Sequence, residues 1–388
     1  MISINKDNGN SLIASMFLCE TMLCSMIVQI VPIPNISVWL MMFLTVVSFV
    51  LNKRLSKMSI VHAFIPWTII IGLLCVSGLS NGFDNVSKYM IYFCVFGTTA
   101  AIISINTINP ISLYKYVIII QTLYLIIYFA RIRRPFLNSG NAYYADSMGI
   151  AYAMVIEIYL AIIAYFNRCV FPFRRRYHFL MIIDTILSIF VILIDCRSRG
   201  PIIAVVIAAI MVYMTQTKGI KKIVSVIIVG VAIMYCAYHF IDIVQFVYGF
   251  FKNYNIEIAA LKKIIFLNQT DLGVLNGRET IYYIAIENIL KSPIIGHGIG
   301  YFESLGFNYP HNIILELLLD FGVLGIMIMI FIIIKFIQDV GKLDSQKRCL
   351  FMLVFFVGEM ILNFSSTIWL YPPFWLLLFM VFSTKNYE

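Results

Sequence analysis

Charged residues are scarce in this sequence. They make up 12% of its 388 residues, whereas an average soluble domain has about 25%. Hydrophobic residues make up 61%, and the mean hydropathy is +0.93. A surface with so few charges cannot face water over most of its area, which excludes a soluble globular protein. Apolar stretches of about 20 residues recur along the chain, and each is long enough to cross a bilayer core. We therefore predict an all-α fold, a polytopic bundle of membrane helices.

Paired cysteines and internal repeats are also missing. The eight cysteines lie within or at the ends of apolar stretches, without the spacing of a disulfide framework or a zinc site. We expect no metal and no cofactor. No small-residue cleavage site follows the first apolar stretch, so we expect an uncleaved first helix. The net charge of +9 is attributed to cytoplasmic loops, and no nucleic-acid partner is expected.

Apolar runs between polar breaks predict about twelve spans in a single membrane domain that covers residues 1–388. The spans lie near 11–32, 36–51, 59–79, 88–106, 112–130, 148–167, 179–195, 201–216, 223–248, 311–337, 349–365 and 368–383. Lysine and arginine collect in alternate loops, which are cytoplasmic by the positive-inside rule. Both termini are therefore predicted to be cytoplasmic. The long loop 249–310 is predicted to be external (periplasmic), with an amphipathic helix near 280–292.

Several arginines depart from this charge rule, because the same orientation places them outside. They are Arg131, Arg133 and Arg134 after the fifth span, Arg197 and Arg199 after the seventh, and Arg278 in the long loop. An anionic ligand at the outer membrane surface would explain them, since a guanidinium grips phosphate through two parallel hydrogen bonds. Snorkelling towards lipid headgroups is the alternative explanation.

Three polar segments near these arginines form an ordered pattern. The first is DCRSRGP at 195–201, and the second is NGRE at 276–279. The third holds PIIGHGIG at 293–300, PHN at 310–312 and FGVLG at 321–325. In this order the segments resemble the O-antigen polymerase and O-antigen ligase superfamily. The resemblance is specific over about 195–325.

The resemblance implies a glycosyltransferase that works without a metal and inverts the anomeric centre. Its donor would be a glycan linked to undecaprenyl diphosphate, at the outer face of the bacterial cytoplasmic (inner) membrane. The resemblance assigns Arg199 and Arg278 to the diphosphate and makes His311 the base, with Arg197 a competitor for the role of Arg199. His297, in the glycine-rich turn, is a second candidate base.

Elementary chemistry agrees with these roles. A sugar hydroxyl is a poor nucleophile until a base takes its proton, and histidine titrates close to working pH. Fixed cations can neutralise the charge that develops on a diphosphate leaving group. Asn312, Arg133, Arg134 and Asn141 are predicted to contact the substrate. Asp195 is expected to pair with one of the arginines of its own turn and to fix its direction.

The sequence leaves three functions open. A polymerase would move the growing chain onto a new lipid-linked repeat unit, and a ligase would transfer finished glycan to lipid A-core in lipopolysaccharide biosynthesis. A lipid-linked oligosaccharide flippase is the alternative from another class, but paired halves typical of transporters are not apparent. The expected partners are the undecaprenyl-diphosphate-linked glycan, membrane lipid and a chain-length regulator protein.

Overall fold

The secondary structure is almost entirely helical, which confirms the predicted all-α class. The computed structural model describes residues 6–52, 57–139, 141–142, 145–167, 174–196, 200–216, 219–220, 224, 228, 235, 239–254, 261–262, 265, 278–364 and 368–383. Within them, two strands of two residues each, β1 (Asn141–Ala142) and β2 (Ala145–Asp146), pair antiparallel. All other regular elements of these residues are helices.

The helices of the described residues follow the apolar runs of the sequence. In chain order they are α1 Lys6–Leu18, α2 Glu20–Val28, α3 Ile36–Leu51, α4 Lys57–Asn81, α5 Phe83–Tyr92, α6 Thr98–Ser104, α7 Pro110–Ile127, α8 Arg133–Ser139, α9 Ser147–Phe166, α10 Arg175–Phe190, α11 Gly200–Gln216, α12 Phe240–Lys252, α13 Arg278–Lys291, α14 Tyr301–Ser304, α15 Ile313–Lys342, α16 Ser345–Phe364 and α17 Pro372–Phe382. Short π-helical segments follow α5, α7 and α10, at Phe93–Gly97, Tyr128–Ile132 and Val191–Asp195. A 3-10 turn, Ile368–Leu370, precedes α17.

Six helices of the described residues are long and apolar enough to cross a membrane. They are Ala63–Asn81, Phe83–Ser104, Pro110–Ile132, Met148–Phe166, Arg175–Asp195 and Ile313–Lys342. Helices α1 and α2 bend by 75° at their junction and form a seventh if they make one span. Shorter apolar helices coincide with three more predicted spans. The chain is thus a multi-pass membrane protein. Half of the predicted span 223–248 lies outside the described residues, and the number twelve stays a prediction.

The chain divides into two compact units, each described here by itself. The first comprises Met1–Ile120 with Thr280–Glu388, and the second is Gln121–Glu279. In the first unit, α17 packs against α6 and α16. Phe93 meets Trp375 edge-on, with ring centroids 4.7 Å apart, and Trp375 is fully buried. The prediction of a single membrane domain stays a prediction.

Helix α15 is broken at Gly322, whose φ of 61° and ψ of −155° are not helical. In a straight helix, residues 317 and 325 would lie about 12 Å apart along the axis. Here a Cβ atom on Gly325 would lie 3.1 Å from the carbonyl oxygen of Leu317. The chain therefore turns sharply, and α15 consists of a first limb, 313–321, and a second limb, 323–342. The second limb alone, at about 1.5 Å per residue, is long enough for a bilayer core of about 30 Å.

Candidate active site

The glycine-rich loop 293–298 fills the break in α15. The break leaves backbone groups of residues 319–324 without partners inside the helix, and this loop supplies a partner for four of them. The four bonds are His297 N to Leu319 O (2.7 Å), Gly298 N to Asp320 O (2.8 Å), Val323 N to Pro293 O (2.9 Å) and Leu324 N to Ile294 O (3.2 Å). Unpaired backbone groups cost several kcal/mol at membrane depth. The two glycine motifs therefore form one structural feature, a broken helix and the loop that completes it.

Glycine is required on both sides of this contact. Gly296 and Gly322 have positive φ values, of 69° and 61°. A Cβ atom on Gly322 would overlap the carbonyl group of Ile294, and one on Gly296 would overlap the backbone nitrogen of Phe321. Only glycine allows the two backbones to come this close.

Asn81 of α4 holds the far end of the same loop. Its side-chain amide donates hydrogen bonds to the carbonyl oxygens of His297 (2.9 Å) and Ile299 (3.1 Å). The His297 ring stacks on Tyr301, with centroids 4.0 Å apart, and its Nε2 lies 2.9 Å from the carbonyl oxygen of Asn288. These contacts give His297 a structural position within the loop.

Asn312 begins the first limb of α15 as its N-cap. Its side-chain oxygen accepts hydrogen bonds from the backbone N–H groups of Ile314 (2.9 Å) and Leu315 (3.2 Å). An N-cap satisfies N–H groups that lack partners inside the helix. The geometry thus gives Asn312 a structural role, and its predicted contact with substrate stays a prediction.

His311 precedes this cap in a left-handed backbone conformation, with φ of 55°. Asn35 is the other non-glycine residue with positive φ among the described residues. Such a conformation costs on the order of 1–3 kcal/mol and persists where the surrounding structure enforces it, often at active sites. The imidazole meets the Tyr309 ring edge-on, with centroids 4.4 Å apart. The candidate base therefore stands at a strained position immediately before a capped helix.

A narrow cavity of about 10 Å³, room for about one water molecule, adjoins the 309–310 turn before His311, and three carboxyl groups line it. Glu303 accepts a hydrogen bond from the Tyr89 hydroxyl and pairs with Lys88 at 3.2 Å. The Trp369 indole N–H donates to Asp320 at 2.9 Å, and Glu316 is the third acid. Carboxylates accept hydrogen bonds from hydroxyl groups and repel phosphates. This side of the site disfavours a diphosphate.

Asp195 pairs with Arg133, an arginine outside its own turn, within the second unit. Its buried carboxylate accepts two hydrogen bonds from Arg133, at 2.8 and 3.1 Å, and one from the Tyr128 hydroxyl at 3.1 Å. The bonds to Asp195 raise the pKa of the Arg133 guanidinium, against an opposing effect of burial, so this side chain stays charged. Arg197 and Arg199, the partners expected from the sequence, lie outside the described residues.

Two π-helical segments bring this pair together. Tyr128 opens the segment Tyr128–Ile132, directly before Arg133, and Asp195 closes the segment Val191–Asp195. A π-helical turn widens the helix and shifts the register of the side chains that follow, and such turns are frequent at functional sites. No motif in the sequence signals these turns, so sequence reasoning missed the roles of Tyr128 and Arg133.

For other predicted site residues, the structure describes the backbone but not always the side chain. Arg278 is the first residue of α13 and Asn141 belongs to β1, but their side chains are not among those described. Arg134 is exposed near the start of α8. The predicted joint action of Arg199, Arg278 and His311 stays a prediction.

Helix α13 corresponds to the amphipathic helix expected near 280–292. Ala285 and Ile289 on one face pack with Phe302 and Leu319. The opposite face exposes apolar side chains, among them Leu290 at 72%. The buried face joins α13 to the first limb of α15, which begins directly after His311 and Asn312.

Buried acids in the described helices differ in whether a neighbouring element supplies a hydrogen-bond partner. Asp184 of α10 bonds to the Thr122 hydroxyl of α7 at 2.5 Å, and Asp320 bonds to Trp369. Glu157 is fully buried, and neither of its carboxyl oxygens has a hydrogen-bond partner in the part of the chain that the structure describes.

Comparisons with known proteins agree with the motif order. Residues 185–330 match the family model of the O-antigen ligases. A protein of Rickettsia conorii that carries the name of a polysaccharide ligase is 21% identical over 127 residues, which cover 27% of this chain and 31% of that protein. The chain therefore aligns with about a third of that relative's length. The resemblance to the O-antigen ligase and polymerase superfamily is confirmed, and the matched region contains Asp195, His311 and the break at Gly322.

Proposed function

We propose that this protein is a polysaccharide polymerase, a glycosyltransferase that joins undecaprenyl-diphosphate-linked repeat units at the outer face of the cytoplasmic membrane. The observation that carries the proposal is the conformation of His311. It is held in a strained conformation at the head of a capped helix, inside the region that matches the O-antigen ligases. Strain that the surrounding structure enforces is a mark of functional sites.

In the proposed reaction, an acceptor hydroxyl of the new unit attacks the anomeric carbon of the growing chain. His311 takes the hydroxyl proton as the new C–O bond forms. The C–O bond to the diphosphate breaks, and its electron pair leaves with the diphosphate. Arg199 and Arg278 neutralise the charge that develops there. Attack from the face opposite the leaving group inverts the anomeric centre.

The carboxyl groups beside His311 support a separate site for the diphosphate, formed by arginines. Glu303, Glu316 and Asp320 repel a diphosphate on this side of His311, and the cavity that they line is too small for a sugar ring. A diphosphate would be repelled there, so the donor needs guanidinium groups of its own. Lys88 is already paired with Glu303.

A ligase is the second candidate, because the matched family model is that of O-antigen ligases. A ligase would use the same base and the same arginines, with lipid A-core as the acceptor.

Deletion of the gene followed by a gel of the surface glycan distinguishes these functions. A polymerase predicts core that carries one repeat unit. Lipid-linked polymer that accumulates beside bare core would identify a ligase and overturn the proposal. Loss of the surface glycan, with lipid-linked units retained on the cytoplasmic side, would favour a flippase and overturn the proposal.

Replacement of each histidine in the deletion strain tests the base. We expect His311→Ala to abolish long-chain polysaccharide while the protein remains inserted and abundant. His297→Ala is the matched control, because His297 has structural contacts in the neighbouring loop, and we expect it to retain polymer. Normal chain length in the His311 variant would exclude this residue as the base. EDTA should leave transfer by the purified enzyme unchanged, since the proposed step uses no metal.

A further inference from the structure

Three polar side chains lie at the middle of three membrane spans of the second unit. Gln121 and Glu157 are the central residues of their spans, and Asp184 is one residue from the centre of its own. None of the three is more than 2% exposed. Ionisable groups at this depth are costly, and where they occur they often belong to a site or a path for ions or protons.

Hydrogen bonds between the helices bring these side chains together. The Gln121 amide of α7 donates to the Ser188 hydroxyl of α10 at 3.0 Å and to the Met154 sulfur of α9 at 3.2 Å. Glu157 lies about one turn after Met154, and Asp184 about one turn before Ser188. Consecutive spans run in opposite directions, so both steps lead towards the same side of the membrane. The two acids therefore lie at the same level, and the charge of Asp184 acts on Glu157.

Three buried oxygen atoms of this cluster lack a hydrogen-bond donor in the part of the chain that the structure describes. They are both carboxyl oxygens of Glu157 and the amide oxygen of Gln121. The Thr122 hydroxyl donates to the neighbouring acid, Asp184, at 2.5 Å. Because all three unpartnered atoms are acceptors, the cluster lacks a donor or a positive charge. A carboxylate buried in this way is so costly that the group takes up a proton instead.

The surrounding helices supply no compensating positive charge at this level among the described residues. Glu157 is the only charged residue of α9, and α11, which packs against α9, has none. The nearest basic residues of α7 and α10, Lys115 and His178, lie six residues closer to the helix starts than the cluster, roughly 9 Å along the axis. Asp195, in the π-helical segment that also packs against α9, is paired with Arg133.

We propose that Glu157 and Asp184 form a proton-binding site at mid-membrane depth, in which Glu157 carries a bound proton at neutral pH. The proton makes one carboxyl oxygen of Glu157 a donor, with Asp184 and the Gln121 amide oxygen as acceptors in the same cluster. A metal ion fits this cluster less well, because Mg²⁺ and Ca²⁺ take about six or more oxygen ligands. The site is independent of the proposed function, since none of its residues is assigned to the glycan or the diphosphate.

Infrared spectroscopy of the full-length protein in lipid nanodiscs tests the bound proton directly. A protonated carboxyl group has a C=O stretching band that a carboxylate lacks, and a glutamate side chain in water is ionised at neutral pH. We expect this band at neutral pH, shifted by isotope-labelled glutamate and reduced in Glu157→Gln. Glu287→Gln is the matched control, because the Glu287 side chain is 54% exposed and pairs with Lys291. It should leave the band unchanged.

Two results of this measurement would overturn the proposal. One is a band that stays intact in Glu157→Gln, because the proton would then belong to another group. The other is a spectrum of the unmodified protein without any band of protonated glutamate. This second result needs no variant, so the test does not depend on the folding of Glu157→Gln.

The pH dependence of unfolding detects the proton independently. If the folded protein keeps a proton that the unfolded chain releases, stability falls as the pH rises through the neutral range. We expect the melting temperature of the unmodified protein to fall more steeply over this range than that of Glu157→Gln, whose amide does not titrate. Parallel curves would mean that Glu157 is ionised in the folded protein, and would contradict the assignment.

Sodium is the competing ligand for a buried carboxyl group. Melting temperatures in equal concentrations of sodium chloride and potassium chloride separate the two possibilities. We expect the two salts to give the same value, because a proton site does not distinguish them. A rise that is specific to sodium and is lost in Glu157→Gln would identify a sodium site and refute proton binding.

Discussion

The backbone of His311 and its side chain have separate roles that substitutions can distinguish. A left-handed conformation costs a non-glycine residue about 1–2 kcal/mol, and the structure holds His311 there at φ 55°. The imidazole is needed for proton transfer, while the strain belongs to the backbone. A substitution that removes both the imidazole and the backbone strain should therefore lower activity without lowering stability.

We expect His311→Gly to abolish polymer formation while its melting temperature in detergent stays at or above that of the unmodified protein. Glycine adopts positive φ at little steric cost, although it loses more conformational entropy on folding. His311→Ala is the control, because it removes the imidazole and keeps the strain. A glycine variant that melts well below the alanine variant would show that the conformation is not strained.

The pair of Arg133 and Asp195 allows a second prediction for single residues. Arg133→Ala leaves the buried Asp195 carboxylate with the Tyr128 hydroxyl as its hydrogen-bond donor among the described residues. Removal of one partner of a buried charged group costs about 1–3 kcal/mol or more. We expect a lower melting temperature, and a partial recovery when Asp195→Asn is added, because the uncompensated charge is then gone.

Thermal denaturation of the two single variants and the double variant gives the coupling free energy of this pair. Additive losses would mean that the Arg133–Asp195 interaction contributes nothing to stability. Arg134→Ala is a suitable control, since Arg134 is exposed and lies next in sequence. It should leave the melting temperature nearly unchanged.

Sequence reasoning at the residue scale predicted roles for His311 and Asn312 from local motifs, and both roles stay predictions. It missed Arg133 as the partner of Asp195, because that choice depends on π-helical turns in two different helices. It also missed the ion pair of Lys88 with Glu303, whose members lie more than 200 positions apart in the chain. Long-range pairing depends on packing, which residue types alone do not specify.

At the scale of elements, the broken helix and its loop behave as one unit. Four backbone hydrogen bonds join loop 293–298 to residues 319–324. Neither part would be stable without the other, since each would carry buried backbone groups that lack hydrogen-bond partners. The first limb of α15, with Asn312 and His311 at its head, is positioned by this contact.

We expect Gly322→Ala to impair folding or activity strongly, because its methyl group would overlap the carbonyl of Ile294 and because φ there is positive. Gly341→Ala, on the second limb of the same helix, meets nothing within 4 Å and should be neutral or stabilising by up to about 1 kcal/mol. Yield in the membrane, melting temperature and polymer length measure both variants. Equal behaviour of the two would show that the break is not required.

The helices themselves were largely predictable from hydropathy. The apolar runs near 148–167 and 179–195 correspond closely to Met148–Phe166 and Arg175–Asp195. The break in α15 was not predictable in this way, since glycine is frequent in membrane helices and usually leaves them intact. The sequence shows both glycine motifs. It does not show that the loop 293–298 supplies the hydrogen-bond partners that the break in α15 lacks.

At the scale of the whole molecule, the proposed chemistry requires His311 to lie outside. The charge rule predicts this orientation, with Lys342, Lys347 and Arg348 on the cytoplasmic side of α15. The structure adds that the second limb is long enough to cross by itself. We therefore expect one crossing to separate the candidate base from this basic cluster.

Accessibility of single cysteines on either side of α15 tests this crossing in a variant whose native cysteines are replaced. Ser304 is exposed before the helix, and Gln346 is exposed after it. We expect a membrane-impermeant maleimide to label Ser304→Cys in intact spheroplasts, and Gln346→Cys only after the membrane is permeabilised. Labelling of both from outside would mean that α15 turns back at Gly322 and does not cross. The opposite pattern, with only Gln346→Cys labelled from outside, would place His311 in the cytoplasm. It would then be on the wrong side for a reaction at the outer face.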